Sequence, residues 1–392
     1  MDTRVSLPRR AFLGRLVSVG MAATAIPTLL AACSQPQPAA PAAAPTTAPA
    51  AAPTSKPAAA PTSAPAAAAT SAPAPAGATA APAASGAPRQ IKFSHGTGLC
   101  NMPLFFGAEK KLFEPYGISS NVVLTPLASD IAIQLSTGQV EMSVIPFTNA
   151  IAAYVQEPNF QVVSGSGIHG LIIITKPEIK SWADLRGKQI GTFQIDTLDI
   201  IVYDYLKKNG MTYNDVKMVY FGDTVELNNA FISGQIDALS TIEPYATKAQ
   251  DATKGTRLGD GIDIYGQGYP DCVLAARKEL ISKEPQVVKG VIETFFESEY
   301  QIENNFQEAA KVTVGKYYKT DMDSLIKAAQ AQPPGIDIRD KKDFMFARAK
   351  SMLELNYIKK EPDQDFVNFS FLDQVIKEKP DLWNKVKVHA KI

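Results

Sequence analysis

The sequence predicts an α/β protein of two similar lobes, each with a mostly parallel sheet covered by helices on both faces. Three observations support this fold class. From about residue 89, short apolar runs of strand length alternate with amphipathic segments of helix length, which is typical of parallel sheets with helical crossovers. One junction, a helix that ends at Gly and leads into a strand through Gln and an acidic residue, occurs twice, in residues 135–141 and 231–237. Hydrophobic residues make up 45% of the 392 residues, which is enough for a sizeable core.

Residues 1–33 have the features of an export signal. Arg9 and Arg10 precede an apolar run that is too short and too broken for a membrane-spanning helix. The arginine pair followed by Phe-Leu resembles a twin-arginine signal, although Sec signals carry the same pair. The sequence Leu-Ala-Ala-Cys ending at Cys33 resembles a lipobox, which predicts a lipidated cysteine; an unmodified cysteine is the alternative. We therefore expect an exported protein, anchored by lipid at the extracytoplasmic face of the cell membrane.

Residues 34–88 consist almost entirely of Ala, Pro, Thr and Ser. A segment of this composition buries too little apolar surface to offset the entropy of folding. We interpret it as a disordered tether between the anchor and the folded part.

The folded part is predicted to begin near Arg89. The predicted strands are 90–94, 118–125, 139–145, 160–164, 170–175, 189–193, 216–221 and 236–240. The predicted helices are 103–113, 129–137, 147–156, 197–209 and 224–233, followed by a helical remainder from Pro285. Asp196 or Thr197 is expected to cap the helix after the sixth strand, where free backbone N–H groups favour ligand binding.

Four segments resemble the solute-binding proteins of ABC importers, in the branch that binds nitrate, sulfonates, taurine and the pyrimidine precursor of thiamine. These segments are residues 110–118 (KKLFEPYGI), 135–144 (LSTGQVEMSV), 181–191 (SWADLRGKQIG) and 232–246 (ISGQIDALSTIEPYA). The resemblance implies a two-lobed periplasmic-binding-protein fold of type II, with hinge strands and a ligand cleft that closes on binding. It implies as partners a small-molecule ligand and an importer permease with its ATPase. We expect a monomer.

On this basis the lobes are predicted as residues 89–176 plus 265–392, and 177–264. The hinges are expected near residues 175–178 and 261–265.

Other function classes have less support. Equal numbers of basic and acidic residues, 39 each, argue against nucleic-acid binding, which requires a basic face. No metalloprotease, nucleophile-elbow or phosphate-loop motif is present, so neither an enzyme, a cofactor nor a metal site is predicted. Cys100 beside His95 is the one loose candidate for a nucleophile pair. Cys100 and Cys272 can form a disulfide or remain two free thiols, and the sequence leaves both open. A purely structural surface protein would not explain the polar turns at strand ends.

The candidate ligand-binding residues come from those turns, since open α/β sheets bind ligands beyond the carboxyl ends of their strands. They are Thr97, Leu99, Asn101, Phe147, Thr148, Asn149, Ser164, Ser166, Gln194, Asp196, Thr197, Glu243 and Tyr245.

These segments contain no Lys or Arg but do contain carboxylates, with Asp271 nearby. A bare anion would be poorly compensated there, so we expect a nitrogen-bearing heteroaromatic or an amino-sulfonate. The alternatives are nitrate or an alkylsulfonate, with a basic residue such as Arg277 folding into the cleft, or an enzyme or sensor domain on the same fold.

Overall fold

The computed structural model describes residues 87–329 and 331–386, all within one unit, Ala78–Ile392. The predicted export signal, Cys33, nearly all of the predicted tether and His389 lie outside the described residues. Within the described part of the chain, no helix combines the length and the apolar character needed to cross a bilayer.

The first sheet is formed by β1 (Arg89–His95), β2 (Ile118–Leu124), β3 (Met142–Pro146), β4 (Phe160–Ile168) and β10 (Pro270–Arg277). Its strand order is β2-β1-β3-β10-β4. β1 is parallel to β2 and β3, whereas β10 is antiparallel to β3 and β4.

The second sheet is formed by β5 (Ile172–Thr175), β6 (Gln189–Thr192), β7 (Lys217–Tyr220), β8 (Ala238–Thr241) and β9 (Thr256–Asp260). Its order is β7-β6-β8-β5-β9. β6 is parallel to β7 and β8, and β5 is antiparallel to β8 and β9. The two sheets therefore repeat one arrangement.

The repeated helix-Gly-strand junction occupies the same place in both sheets. Gly138 precedes β3 and Gly234 precedes β8, and each of these strands is the central one. Both glycines have positive φ, 78° and 80°, a backbone conformation that glycine adopts without strain and that commonly ends a helix. The short sequence repeat thus marks equivalent positions in the two lobes.

Helices cover both faces of each sheet. The helices are α1 (Met102–Glu109), α2 (Ala128–Thr137), α3 (Phe147–Tyr154), α4 (Thr197–Lys208), α5 (Thr224–Ile232), α6 (Tyr245–Thr253), α7 (Gly261–Tyr265), α8 (Lys278–Lys283), α9 (Pro285–Asn304), α10 (Phe306–Thr313), α11 (Met322–Ala329), α12 (Lys342–Glu354), α13 (Ser370–Glu378) and α14 (Pro380–Lys385). Short 3₁₀ turns are Leu99–Asn101, Glu114–Tyr116, Trp182–Leu185, Tyr213–Asp215, Arg339–Lys341 and Gln364–Phe366.

Apolar side chains form four core clusters, two in each lobe. In the first lobe, one cluster contains Phe93 of β1 and Phe295 of α9. The cluster on the opposite face contains Val273 of β10, Ile151 of α3 and Met345 of α12. Helices α9 and α12 therefore pack against the sheet of the first lobe.

The predicted lobe boundary near residue 176 is wrong by one strand. β5 pairs with β8 and β9, so this strand belongs to the second lobe. The predicted hinge at 261–265 also belongs there, because it forms α7 and extends from β9. The chain crosses between the lobes at residues 169–171 and 266–269. The sequence of a buried strand does not indicate which sheet the strand joins, because all buried strands are similar apolar runs.

The two crossings are hydrogen-bonded to each other. His169 N donates to Tyr269 O at 3.0 Å, and Gly268 N donates to His169 Nε2 at 2.6 Å. Leu171 N donates to the Tyr269 hydroxyl at 3.0 Å. These hydrogen bonds join the two crossings into one connection between the lobes, and the cleft lies beside it.

Candidate ligand-binding site

A cavity of about 40 Å³ lies between the lobes. It is lined by Gly96, Thr97, Gly98, Cys100, Asn101, Pro126, Ala128, Ile131, Val144, Pro146, Asp271 and Cys272 of the first lobe, and by Phe193, Asp196, Leu198, Thr224 and Ile242 of the second. This volume holds roughly three water molecules, whereas sites for larger organic ligands measure about 300–1,000 Å³. The lobes are therefore closed on each other and must part to admit an organic solute.

Predicted site residues make direct contacts across this closed cleft. Thr97 Oγ1 lies 2.9 Å from Thr224 Oγ1. Leu99 N donates to Glu243 O at 3.2 Å. The Leu99 side chain is buried in the first-lobe core, so this residue offers only its backbone to the cleft.

Two carboxyl groups from opposite lobes face the cavity. Asp196 caps α4, where its Oδ1 accepts from Leu198 N at 3.1 Å, and Asp271 lies on β10. Thr197 Oγ1 connects them, 3.1 Å from Asp196 Oδ1 and 2.8 Å from Asp271 Oδ1. Burial raises the pKa of Asp196 to about 6. Burial, with the nearby Asp196 charge, raises the pKa of Asp271 to about 7.

Cys100 and Cys272 are joined by a disulfide, with their Cα atoms 5.8 Å apart. Of the two alternatives that the sequence leaves open, the structure shows this one. Both residues belong to the first lobe, so the bond fixes the loop after β1 against β10. Both also line the cavity.

Two hydrogen bonds also hold the loop after β1 in place. Ser166 Oγ donates to Cys100 O at 2.6 Å, and Asn101 Nδ2 donates to Gly98 O at 3.0 Å. Asn101 Oδ1 is buried without a hydrogen-bond partner among the described residues. Ser166 therefore supports the site from β4, and Asn101 presents an unsatisfied acceptor in the wall of the cavity.

Five predicted residues lie away from the cavity. Phe147 belongs to the first-lobe core, and Thr148 and Asn149 follow it in the first turn of α3. Asn149 lines a separate surface pocket instead. Ser164 donates to the carbonyl of the next residue in β4, and Gln194 is exposed to solvent. Strand ends alone do not fix which of the flanking side chains turn inward.

Glu243 and Tyr245 lie behind the cavity wall. Glu243 Oε2 accepts from Thr247 N at 3.0 Å, so this carboxylate caps the first turn of α6. Burial raises its pKa. Tyr245 is buried, and its carbonyl accepts from Asn228 Nδ2 at 3.0 Å. Both residues support the second lobe's side of the cleft.

Sequence reasoning missed several lining residues. Thr224 begins α5 after β7, and Pro126 follows β2, so the strand-end rule would have found both had it been applied there. Ile131, Val144 and Ile242 also line the cavity. Nothing in the sequence distinguishes these three apolar residues from ordinary core residues.

The expected alternative in which Arg277 enters the cleft is contradicted. Its Nη1 donates to Leu135 O at 2.7 Å and to Ser136 O at 2.8 Å, at the C-terminal end of α2. Those carbonyls are the negative end of the helix dipole and attract a cation. Among the residues that the structure describes, no Lys and no Arg lines the cavity.

The His95–Cys100 nucleophile pair is also absent from the described structure. The Cys100 sulfur is in the disulfide. The His95 ring instead packs edge-on against Phe105, and its Nδ1 lies 2.6 Å from Gly96 O. Burial lowers the pKa of His95 to about 4, so the ring is neutral near pH 7.

Comparison with known proteins gives a sequence relationship and a fold. A Brucella abortus protein named only as a binding protein is 29% identical over 154 residues, which are 39% of this chain and 48% of the relative. The chain therefore spans about half the length of the curated relatives that it matches.

Two solved structures show the same fold at low sequence identity. A ligand-binding component of an ABC-type import system from Staphylococcus aureus, with zinc bound, has a TM-score of 0.65 at 16% identity. The alignment covers 73% of this chain and 99% of that one. The periplasmic aliphatic sulphonate binding protein of Escherichia coli has a TM-score of 0.62 at 17% identity, covering 70% and 90%. The fold is thus the two-lobed type II fold of periplasmic binding proteins.

The family description "NMT1/THI5 like" matches residues 101–329, more than half of the chain. This region runs from the loop after β1 to the end of α11 and contains most of the cavity wall. The chain therefore belongs to the NMT1/THI5-like family.

Proposed function

We propose that this protein is the extracytoplasmic substrate-binding component of an ABC importer. Its two lobes close over a small organic solute, which it delivers to a permease with its ATPase. Family membership, the two-lobed fold and the cavity between the lobes support this function. The protein works as a monomer, exported and held at the membrane by lipid on Cys33.

The solute is a nitrogen-bearing organic molecule, either a heteroaromatic or an amino-sulfonate. The facing carboxyl groups of Asp196 and Asp271 are the observation that carries this assignment. Carboxylates accept strong hydrogen bonds from N–H groups, especially from charged ones. Phe193 adds an aromatic wall that can pack on a planar ring.

Nitrate or a plain alkylsulfonate is less well supported, because the two second-lobe helix starts at the cavity are already capped by carboxylates. Asp196 accepts a hydrogen bond from Leu198 N at the start of α4. Asp223 accepts hydrogen bonds from Val225 N and Glu226 N, at 2.8 and 3.0 Å, at the start of α5. An anion would have to displace these carboxylates or use the starts of α2 and α3 in the first lobe, which have no side-chain cap. In either place no Lys or Arg among the described lining residues would compensate its charge.

Calorimetry on the full chain with Cys33→Ala tests the assignment. The ligands are an aminopyrimidine, taurine, a plain alkylsulfonate and nitrate. We expect binding of a nitrogenous compound, weakened about 10- to 100-fold by Asp271→Asn, since a hydrogen bond to a charged group contributes about 1.5–3 kcal/mol. Asp223→Asn is the matched control, because Asp223 caps α5 outside the cavity wall and should leave affinity unchanged. Tight binding of nitrate or the alkylsulfonate, with no response to the nitrogenous compounds, would refute the ligand class.

The anchor is tested separately. Cys33→Ala should move the protein from the membrane fraction to the soluble fraction, because no helix of the described residues can span a bilayer. Fractionation with a high-salt wash distinguishes lipid anchoring from electrostatic adsorption. If the variant stays bound after that wash, Cys33 is not the anchor.

A further inference from the structure

Three residues that line the cavity, Cys100, Cys272 and Asp271, form a cluster whose chemistry does not depend on the organic solute that binds in the cleft. The sulfur atoms of Cys100 and Cys272 and a carboxylate oxygen of Asp271 all lie within 4.8 Å of one another. All three side chains are at least 97% buried, and all three line the cavity. Two cysteines and one carboxylate are a ligand set typical of zinc and related cations.

A backbone irregularity produces this cluster. Neighbouring residues of a regular strand point to opposite faces of the sheet, yet Asp271 and Cys272 both reach the cavity. The pairing of β10 with β4 shifts register between Pro270 and Cys272 and again between Cys272 and Val273. Bulges of this kind re-aim side chains and are frequent next to functional sites.

The surroundings of the cluster suit a cation. Asp271 is oriented by hydrogen bonds from Thr197 Oγ1 at 2.8 Å and from Gln332 Nε2 at 2.7 Å. Such outer contacts commonly fix the carboxylate ligands of metals. Asn101 Oδ1, buried in the same wall, is an acceptor without a partner in the described structure. Two thiolates with the Asp271 carboxylate would carry three negative charges, and the described part of the cavity wall contains no Lys or Arg to balance them.

We propose that the reduced Cys100–Cys272 pair and Asp271 form a binding site for a zinc-like divalent cation, and that the disulfide closes this site. A dithiol reductant transfers two electrons and two protons to the disulfide, which gives two thiols and leaves the reductant as its own disulfide. The cation then displaces both thiol protons, which go to solvent, and binds the two thiolates and the carboxylate. All three ligands belong to the first lobe, so the cation enters while the lobes are apart. Closure then brings Asp196 over the site.

Cadmium titration of the full chain tests this site. All samples carry Cys33→Ser, which removes the third cysteine of the chain, and the dithiol is removed by desalting before Cd²⁺ is added. We expect one Cd²⁺ per reduced chain, seen as thiolate-to-cadmium charge-transfer absorption, and none per oxidised chain. Asp271→Asn should weaken binding by at least about tenfold, whereas Asp223→Asn should leave it unchanged. Reoxidation should release the cation.

The comparison of oxidised and reduced chains uses one sequence, so it does not depend on the folding of any variant. Three results would overturn the proposal. These are equal binding by both redox forms, no binding by a chain with two titratable thiols, and unchanged affinity in a folded Asp271→Asn variant. The calorimetric test of the organic solute uses the oxidised chain, whereas the cation is expected to bind the reduced chain. Either proposal can therefore fail without affecting the test of the other.

Discussion

Two of the regions in which the lobes meet differ in their chemistry. The cleft interior, which is the wall of the cavity, joins the lobes mostly through neutral groups, namely the Thr97–Thr224 hydroxyl pair and the amide of Leu99. One further hydrogen bond runs from Thr197 Oγ1 to the Asp271 carboxyl. Apart from the disulfide cysteines, the described residues that line the cavity have two ionisable side chains, those of Asp196 and Asp271. Neutral hydrogen bonds contribute only about 0.5–1.5 kcal/mol each, so the interior favours closure weakly.

The second region, the α4–α12 flank, consists of Asp199, Asp204 and Lys207 of α4 with their partners on α12 and the turn after it. Asp204 accepts from Arg348 Nη1 at 2.7 Å and from a serine hydroxyl of α12 at 2.8 Å. Asp199 accepts from the Tyr357 hydroxyl at 2.5 Å. Helix α4 thus takes part in both regions. We infer that the flank supplies more of the energy that holds the lobes together than the interior does, whereas the interior selects the ligand.

Of the substitutions in the flank, Arg348→Ala is expected to destabilise the protein most. It leaves the mostly buried Asp204 carboxylate without its cation and removes the guanidinium from the ring of Tyr265, 5.0 Å from the ring centre. The free energy of unfolding should fall by about 1.5–3 kcal/mol, measured by urea denaturation. Ligand affinity should change less than stability. A ligand affinity that falls while stability is unchanged would reverse the assignment of roles.

Asp271→Asn probes the interior through pH. Burial raises the pKa of Asp196 and Asp271 to about 6 and 7 in the folded protein, above 3.8 in the reference state. Between these values the folded state binds more protons, so their contribution to stability falls as pH rises from about 4 to 7. The parent should therefore lose stability from pH 5 to pH 8 through this pair.

The variant removes one of the two groups and should be stabilised relative to the parent at pH 8, by roughly 1.4 kcal/mol per pKa unit removed. Gln332 Oε1, buried without a partner in the described structure, can accept the new amide after the Gln332 side-chain amide turns over. Denaturation at both pH values gives the difference. Equal effects of the substitution at pH 5 and pH 8 would show that Asp271 is ionised throughout.

Gly98→Ala tests whether the interior must close tightly. A Cβ on Gly98 would lie 2.4 Å from Cδ1 of Ile242 in the opposite lobe. Ile242 must then change rotamer or the lobes must remain apart, at a cost of about 1–2 kcal/mol, so ligand affinity should fall about tenfold. Gly96→Ala is the matched control, since its Cβ would meet Ile131 at an ordinary 3.8 Å. Scattering from Ala78–Ile392 should show a smaller radius of gyration with ligand in the control, and a smaller change in Gly98→Ala.

Lys207→Ala is the smallest expected effect. Lys207 pairs with Glu354 on the flank, but the two side chains are 58% and 45% exposed. Exposed ion pairs contribute about 0–1 kcal/mol and are screened by salt. Stability should change by less than about 1 kcal/mol, and less again in high salt. A loss equal to that of Arg348→Ala would mean that charge on the flank matters irrespective of burial.

Local sequence patterns predicted the architecture well. The alternation of strands and helices, the capping of α4 by Asp196 and the glycines at Gly138 and Gly234 are all present in the structure. Each depends on residues within one or two turns of each other, and such interactions can be read along the chain. The same rule placed Thr97 and Asp196 in the cavity wall, because the carboxyl ends of β1 in the first sheet and β6 in the second both lead into the cavity between the lobes. Whether the predicted residues bind a ligand stays a prediction.

The sequence by itself determined the fold class, the repeated lobes and the carboxylates near the cleft. Tertiary structure decided which sheet β5 joined, where Arg277 found its partners and which side chains reached the cavity. It also decided that Asp271 and Cys272 face the same way, because the register of β10 depends on β4, about a hundred residues earlier in the chain. Strand pairing and bulges are set by distant partners competing for the same backbone groups. A local pattern does not contain that information, so the cluster of Cys100, Cys272 and Asp271 could be identified only from the folded structure.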